Sequence, residues 1–237
     1  MRLRRRSEVP RVERILVATD RSETAERAVA FAGVMAERYD AELVLLRVLL
    51  SDEGVLAEAA RERWNVLEHP FYVRWERGEL SRDELARYAG EYRHAVVALA
   101  RAARTARLHA EEEASHISLW DDFASSLGGE KHEPLPETRC CATAWAAADD
   151  ELGAAAILYA VESGQPAISE TKLRGLVTHY GFEAGSPASA YFELHAERDH
   201  EHAVEARSRL DGHEDARLVA LAESALAGNW ALLDGVS

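Results

Sequence analysis

Sulfur and positive charge are both scarce in this chain. Its 237 residues include two Cys and two Met. The cysteines, Cys140 and Cys141, are adjacent, a geometry that strains a mutual disulfide, so a disulfide framework is excluded. The ordinary reading of the pair is small side chains buried in a helix. Lys and Arg number 28 against 42 Asp and Glu, a formal charge of −14, which disfavours nucleic acid as a partner. No run approaches the roughly 20 apolar residues needed to span a bilayer, which gives no membrane partner. Arg2, Arg4, Arg5 and Arg6 make a basic start, but Arg11, Glu13 and Arg14 interrupt the apolar core that an export signal requires. The expectation is a cytoplasmic protein with a basic tail at residues 1–11.

What the chain does have is ten His and many carboxylates, and some of them are patterned. In YFELHAERDHEHAVEA, His195, Asp199 and His202 stand at i, i+4 and i+7. On a helix these point within roughly 60° of one another. Two imidazoles and a carboxylate are nitrogen and oxygen ligands, suited to iron, manganese or zinc rather than to a sulfur-rich structural site. His200 falls about 140° away from His195 and reads as solvent-exposed.

One helix cannot saturate a metal, and two other segments offer partners. HAEEEASHISLW supplies Glu112, Glu113 and His116, with both acids within a turn of the imidazole. Glu162 ends the apolar run Ala154 to Val161, where a bare carboxylate would cost several kcal/mol unless a cation compensates it. The H-x3-D-x2-H motif or the Glu run alone would be an ordinary solvated helix face; Glu162 is the stronger case. Together they form the ligand inventory of a dinuclear site inside a helix bundle.

The stretch from about residue 55 to 235 resembles the haem-oxygenase-like dimetal oxidases, relatives of the TenA thiaminases and PqqC-type oxidases. The resemblance is carried by HPFYVRWERGELSRDELARYAGEY, with Ser81 and Glu84 as a capping box, by the Glu and His before Leu119 and Trp120, by YAVE, by ETK at 170 to 172, and by H-x3-D-x2-H. It implies a non-haem dimetal enzyme holding two irons, with manganese as the alternative, that activates dioxygen to oxidise a small organic substrate. The implied ligands are Glu113, His116, Glu162, His195, Asp199 and His202, with Glu162 as the bridge. In some members the first acid lies two turns before its His, where this chain has His109. Glu113 fits the one-turn version, and Glu112 is the fallback. One branch, the para-aminobenzoate synthases that consume their own side chains, uses a Tyr and a Lys at positions matched by Tyr72 and Lys172. These two are the candidate catalytic residues. The ordinary alternative is a core aromatic and a surface cation.

The amino-terminal part reads differently. RILVATD and AELVLLRVL have buried-strand patterns, and SETAERAVAFAGVMAERY between them is an amphipathic helix with Ser22 or Thr24 near its start. Residues 12–50 resemble the opening of a universal stress protein, with Asp20 matching its acid but Arg21 in place of a Gly. The glycine-rich phosphate loop of that family is absent, so no nucleotide binding is assigned.

The expected architecture is mainly α: a haem-oxygenase/TenA-like up-and-down bundle of about seven helices at residues 53–237, preceded by a partial βαβ fragment at 12–52. Helices are expected over Leu56 to Leu67, Ser81 to Ser126 with a break near the site, Glu137 to Ser163, Pro166 to Tyr180, Pro187 to Leu210 and His213 to Leu233. Besides the dimetal oxidase, two other classes are compatible with the sequence. One is a metal-independent TenA- or PqqC-like enzyme, with a cysteine nucleophile as one version; the other is a non-catalytic stress-associated fusion. A homodimer is left open.

Overall fold

The computed structural model describes residues 12–19, 23–47, 62–129, 132–213 and 215–237. The basic tail, Asp20 and Ser22 lie outside them, as do residues 56–61 of the first expected bundle helix. The chain divides into two compact units, Met1–Val55 and Leu56–Ser237.

In the first unit, β1 (Arg14–Thr19) pairs in parallel with β2 (Glu42–Arg47), and α1 (Glu23–Tyr39) connects them. Arg14 stands opposite Glu42 in the register, and its Nε donates to Glu42 Oε2 at 2.7 Å. Ala32 and Ala36, one turn apart on α1, are buried, whereas Phe31 and Val34 remain 66% and 62% exposed. Two strands bury little apolar surface, because a parallel sheet needs cover on both faces.

The second unit is helical throughout its described residues. Glu62 and Arg63 are helical, and Val66–Glu68 forms a 3-10 turn. Eight helices follow: α2 (Pro70–Glu76), α3 (Arg82–Ala106), α4 (Ala110–Ser126), α5 (Pro136–Trp145), α6 (Glu151–Glu162), α7 (Gln165–His179), α8 (Ala190–Leu210) and α9 (Ala216–Val236). The eighth arises because the expected helix from Glu137 to Ser163 is two. Its first half stops at Trp145, and Asp150 restarts the chain by accepting from the Gly153 N–H at 2.8 Å, an N-cap inside a run of alanines. The ligand helix begins at Ala190 rather than Pro187, since residues 187–189 form a turn, and the last helix is shifted three residues toward the C-terminus of the expected span, starting at Ala216 and ending at Val236.

Two local devices position the interior. Ser81 and Glu84 form the expected capping box at the start of α3. The break between α3 and α4 is made without glycine: Arg107 and His109 both take left-handed conformations, at φ 55° and 47°. Each is disfavoured for a residue with a Cβ, so packing around the break must hold them there. Along the core, Trp75, Tyr72, Tyr88, Tyr92, Trp120 and Phe192 are buried in a continuous aromatic layer. Trp75 reaches α7 because Gly175 has no side chain; a Cβ there would lie 2.6 Å from Trp75 Cδ1. Its indole N–H then donates to the Lys172 carbonyl at 3.1 Å.

Candidate metal centre

Helix α8 packs against α4, α6 and α7, and its buried face presents His195, Asp199 and His202 while His200 is exposed. Glu113 and His116 come from α4, one turn apart, and Glu162 is the last residue of α6; all are buried. The helical period accounts for the grouping within each helix. The crossing of α8 over α4 and α6 brings the groups together.

His116 Nδ1 is 3.2 Å and His202 Nδ1 3.5 Å from Glu113 Oε1. Glu113, His116 and His195 offer ligand atoms within 4.8 Å of one another, and so do Glu113, Glu162 and His202. Glu113 thus stands in both groups, the place that the family resemblance implies for Glu162. Its position one turn before His116 directs it between the helices, whereas Glu162 enters from the end of α6 on one side. Asp199 adjoins the second group, with Oδ1 3.8 Å from His202 Nδ1.

The side chains are short of partners in a way that fits a cation. Both Asp199 oxygens, His195 Nε2, and both ring nitrogens of His116 and His202 are buried with no hydrogen bond; the His116–Glu113 and His202–Glu113 approaches are close but not aligned as hydrogen bonds. Buried polar atoms ordinarily find partners. His195 Nδ1 donates to the Tyr191 carbonyl at 2.6 Å, which puts its proton on that nitrogen and turns the lone pair of Nε2 inward. That is the usual second-sphere arrangement of a ligating histidine. Tyr191 stacks on the same ring at 3.9 Å and holds its plane.

Electrostatics point the same way. Burial first, then Glu113 and Asp199, push the Glu162 carboxyl well above the usual range. Burial and the acids Glu113 and Glu112 raise Asp199 to about 9. Burial and the neighbouring His116 hold His195 at about 4. Glu113 goes the other way: burial opposes its ionisation, but the adjoining His116 and His202 bring it to about 2. A neutral His195 beside crowded carboxylates is a donor state that divalent ions bind, and the charge of such ions removes the penalty on the acids. The donors fit a pair of nitrogen- and oxygen-ligated ions.

Tyr72 and Lys172 are both 2% exposed. Lys172 Nζ lies 4.8 Å from the centre of the Tyr72 ring, 4.6 Å from that of Tyr92 and 5.3 Å from that of Tyr88. The ordinary alternative of a surface cation does not hold. Burial drives the Lys172 pKa well below that of a free amine. Tyr72 and Tyr88 share a hydroxyl hydrogen bond of 2.8 Å, and burial outweighs it to raise the Tyr72 pKa well above its ordinary value, so its ring stays a phenol. Tyr88, Tyr92 and Tyr191 were not singled out by the sequence reading. The signal was available: Tyr88 and Tyr92 stand at i, i+4 in RYAGEY, and Tyr191 precedes His195 by one turn.

Cys140 is exposed and only Cys141 is buried, so the adjacent pair is not uniformly interior. Burial raises the Cys141 thiol pKa, the opposite of what a thiolate nucleophile needs. A groove of about 750 Å³ beside α3 and α5, lined in part by Arg101, Arg104 and Arg139, includes none of the clustered residues. No helix among the described residues is long and apolar enough to cross a membrane.

The universal stress protein family model matches residues 11–119. That span takes in the βαβ unit, but from Pro70 its structured elements are bundle helices, and the sheet among the described residues has two strands. A solved domain of unknown function with a haem oxygenase-like fold from Shewanella denitrificans aligns with a TM-score of 0.63 at 20% identity, covering 79% of this chain and 93% of that one. The helical unit therefore has the haem oxygenase-like fold expected from the sequence. A 4-aminobenzoate synthase of Nitrosomonas europaea is 27% identical over 212 residues, 73% of this chain and 85% of the relative. One from Chlamydia trachomatis serovar D is 32% identical over 172 residues, 62% and 74% of the two chains. Another, from Chlamydia muridarum, is 31% identical over 179 residues, 65% of this chain and 75% of its own length. By that identity over three-quarters of a relative, the chain belongs to the 4-aminobenzoate synthase family.

Proposed function

We propose that this protein is a dimetal oxidoreductase that makes 4-aminobenzoate from its own side chains, with Tyr72 supplying the ring and Lys172 the amino group. The observation that carries the reading is the Lys172 amine 4.8 Å from the centre of the Tyr72 ring, inside a bundle whose relatives bear that enzyme's name.

The chemistry of the product supports the pairing. 4-Aminobenzoate is a benzene ring with a carboxylate and an amine para to each other, and a tyrosine ring already carries a carbon and a heteroatom in that relation. Conversion requires the phenol oxygen to give way to nitrogen and the side chain to be shortened to one oxidised carbon. Both demand oxidation close to the ring. Two irons held by Glu113, His116, Glu162, His195, Asp199 and His202, with manganese as the alternative, would supply that oxidising power from dioxygen. Glu113, which belongs to both ligand groups, would help to hold both ions.

The protein's own groups do the rest. Desolvation keeps Lys172 in the neutral amine form, the form able to attack carbon. The Tyr88 hydroxyl holds the Tyr72 phenol in one orientation. Phe71, Trp75, Tyr88 and Tyr92 exclude water around the reacting ring. The reading extends to a cytoplasmic enzyme whose partners are dioxygen and the metal, without nucleic acid or membrane.

Anaerobic loading with ferrous iron, followed by dioxygen and a reductant, tests it by mass spectrometry of the Tyr72 peptide. A changed Tyr72 mass together with released 4-aminobenzoate is the expected result, and Lys172→Ala should stop release. An unaltered Tyr72 after repeated turnover would transfer the oxidation to an external small molecule.

A further inference from the structure

At the outer end of the cluster a third set of the same residue types comes together. His109, Glu112 and His202 present ligand atoms within 4.8 Å of one another, with His109 and Glu112 partly exposed and His202 buried. Glu112 by itself would be an ordinary surface acid, since it also accepts from Arg198 Nε at 3.2 Å. Two further observations set this place apart.

The first is His202. Its side chain is 1% exposed, and Nε2, buried without a hydrogen bond, faces Glu112 Oε2 at 3.5 Å. Its Nδ1 faces inward, 3.5 Å from Glu113. One imidazole thus has one nitrogen toward the inner cluster and the other toward the outer set.

The second is His109. It occupies the N-cap of α4 at φ 47° and ψ 26° and makes no side-chain capping bond. A non-glycine residue held left-handed without local reward is a mark of a functional constraint. The ring instead stacks on His202, with centroids 3.9 Å apart and planes 16° from parallel. Its Nε2 is also buried without an aligned partner, although Glu205 Oε2 lies 3.1 Å away. Glu205 in turn lines a shallow depression of about 440 Å³ with His200, Glu201, Val204 and Ser208. An approach of acids and imidazoles on a chain of charge −14 concentrates cations at its mouth.

We propose that His109, Glu112 and His202 form a third, outer position for a divalent transition-metal ion, through which the inner pair is filled. The inference rests on the inner cluster being a metal centre. His202 is the hinge of the transfer. While Nε2 binds the outer ion, the ring proton sits on Nδ1; passage inward puts the ion on Nδ1 and the proton on Nε2. The ion then meets Glu113 and Glu162, which share an inner group with His202. No bond to carbon and no electron transfer is involved, only ligand exchange with water.

The test uses the full chain stripped of metal by a chelator and titrated with Mn²⁺, with free ion followed by electron paramagnetic resonance and uptake by stopped flow. Wild type is expected to bind two ions tightly and a third weakly, because once His202 Nδ1 is on an inner ion only His109 and Glu112 are left to hold the outer one. The double variant His109→Asn, Glu112→Gln keeps a residue that tolerates the left-handed conformation. It should lose the third ion, keep the tight pair, and fill that pair about tenfold more slowly, the scale on which supporting groups alter metal binding. His195→Ala should do the reverse, weakening the tight pair while the outer ion still binds. Arg198→Ala frees Glu112 of its cation without touching a proposed ligand, and should tighten the third ion. A double variant that fills as fast as wild type, or an Arg198→Ala protein with unaltered Mn²⁺ uptake, would sink the outer position alone. Wild type that binds no Mn²⁺ at all would remove the metal centre itself.

Discussion

The carboxylate–imidazole cluster and the lysine–tyrosine cage lie in the same helical unit and both bury polar groups, yet they leave opposite things unmatched. In the cluster, lone pairs lack partners: both Asp199 oxygens and His195 Nε2 are buried without a donor. In the cage, a cation-forming group faces aromatic rings, and burial alone drives its pKa down, with no charged partner contributing. The first arrangement is completed by adding positive charge. The second is completed by losing it. Buried polarity is therefore not one property, and the sign of what is missing separates a metal receptor from a neutral amine.

That contrast breaks most severely at the ligands. His195→Ala or Asp199→Ala should reduce bound iron below two ions per chain and weaken retention by more than about 100-fold, beyond the loss expected for a supporting residue, as metal analysis after dialysis would show. Lys172→Ala should separate the two regions: iron binding stays at its wild-type level while 4-aminobenzoate release ceases. If both are lost together, the cage is part of the metal site and the contrast is wrong.

A smaller effect sharpens the account of the amine. Lys172 has a folded pKa well below its unfolded value of about 10.4, so the unfolded chain binds a proton that the folded chain does not. Below the folded pKa that penalty is complete, and it lessens as pH rises toward about 10.4, where both states are neutral. Wild-type stability should therefore carry a rising contribution across the alkaline range. Lys172→Met should flatten that rise and lift the thermal midpoint near neutral pH by about 2–4 °C for each kcal/mol recovered, measurable by calorimetry at several pH values. Smallest of all should be the effect of the front unit: deleting residues 1–50 is expected to leave iron stoichiometry unaltered, and Asp20→Ala to change no ATP affinity, since specific ATP binding is not expected.

Much of the site was legible because its ligands are locally spaced. His195, Asp199 and His202 share a face by helical period alone, and Glu162 announced itself as an acid ending an apolar run. The capping box at Ser81 and the βαβ order of β1, α1 and β2 were equally local. Less legible was the break at Trp145, since an alanine-rich segment has no helix breaker and the stop is supplied by the Asp150 cap. The exposure of Cys140 beside a buried Cys141 also escaped, because adjacent helical positions point about 100° apart and only packing chooses which one faces inward.

By itself, the sequence determined which residues could act together within each helix, since rise and rotation per residue are properties of the backbone. Tertiary structure decided the relations between helices. It placed Glu113 rather than Glu162 in both ligand groups, stacked His109 on His202 through a left-handed break, and buried Lys172 over Tyr72 by docking Trp75 against Gly175. These depend on how α2, α4, α6, α7 and α8 pack, and that packing is set by the complementary shapes of many distant side chains rather than by any one segment.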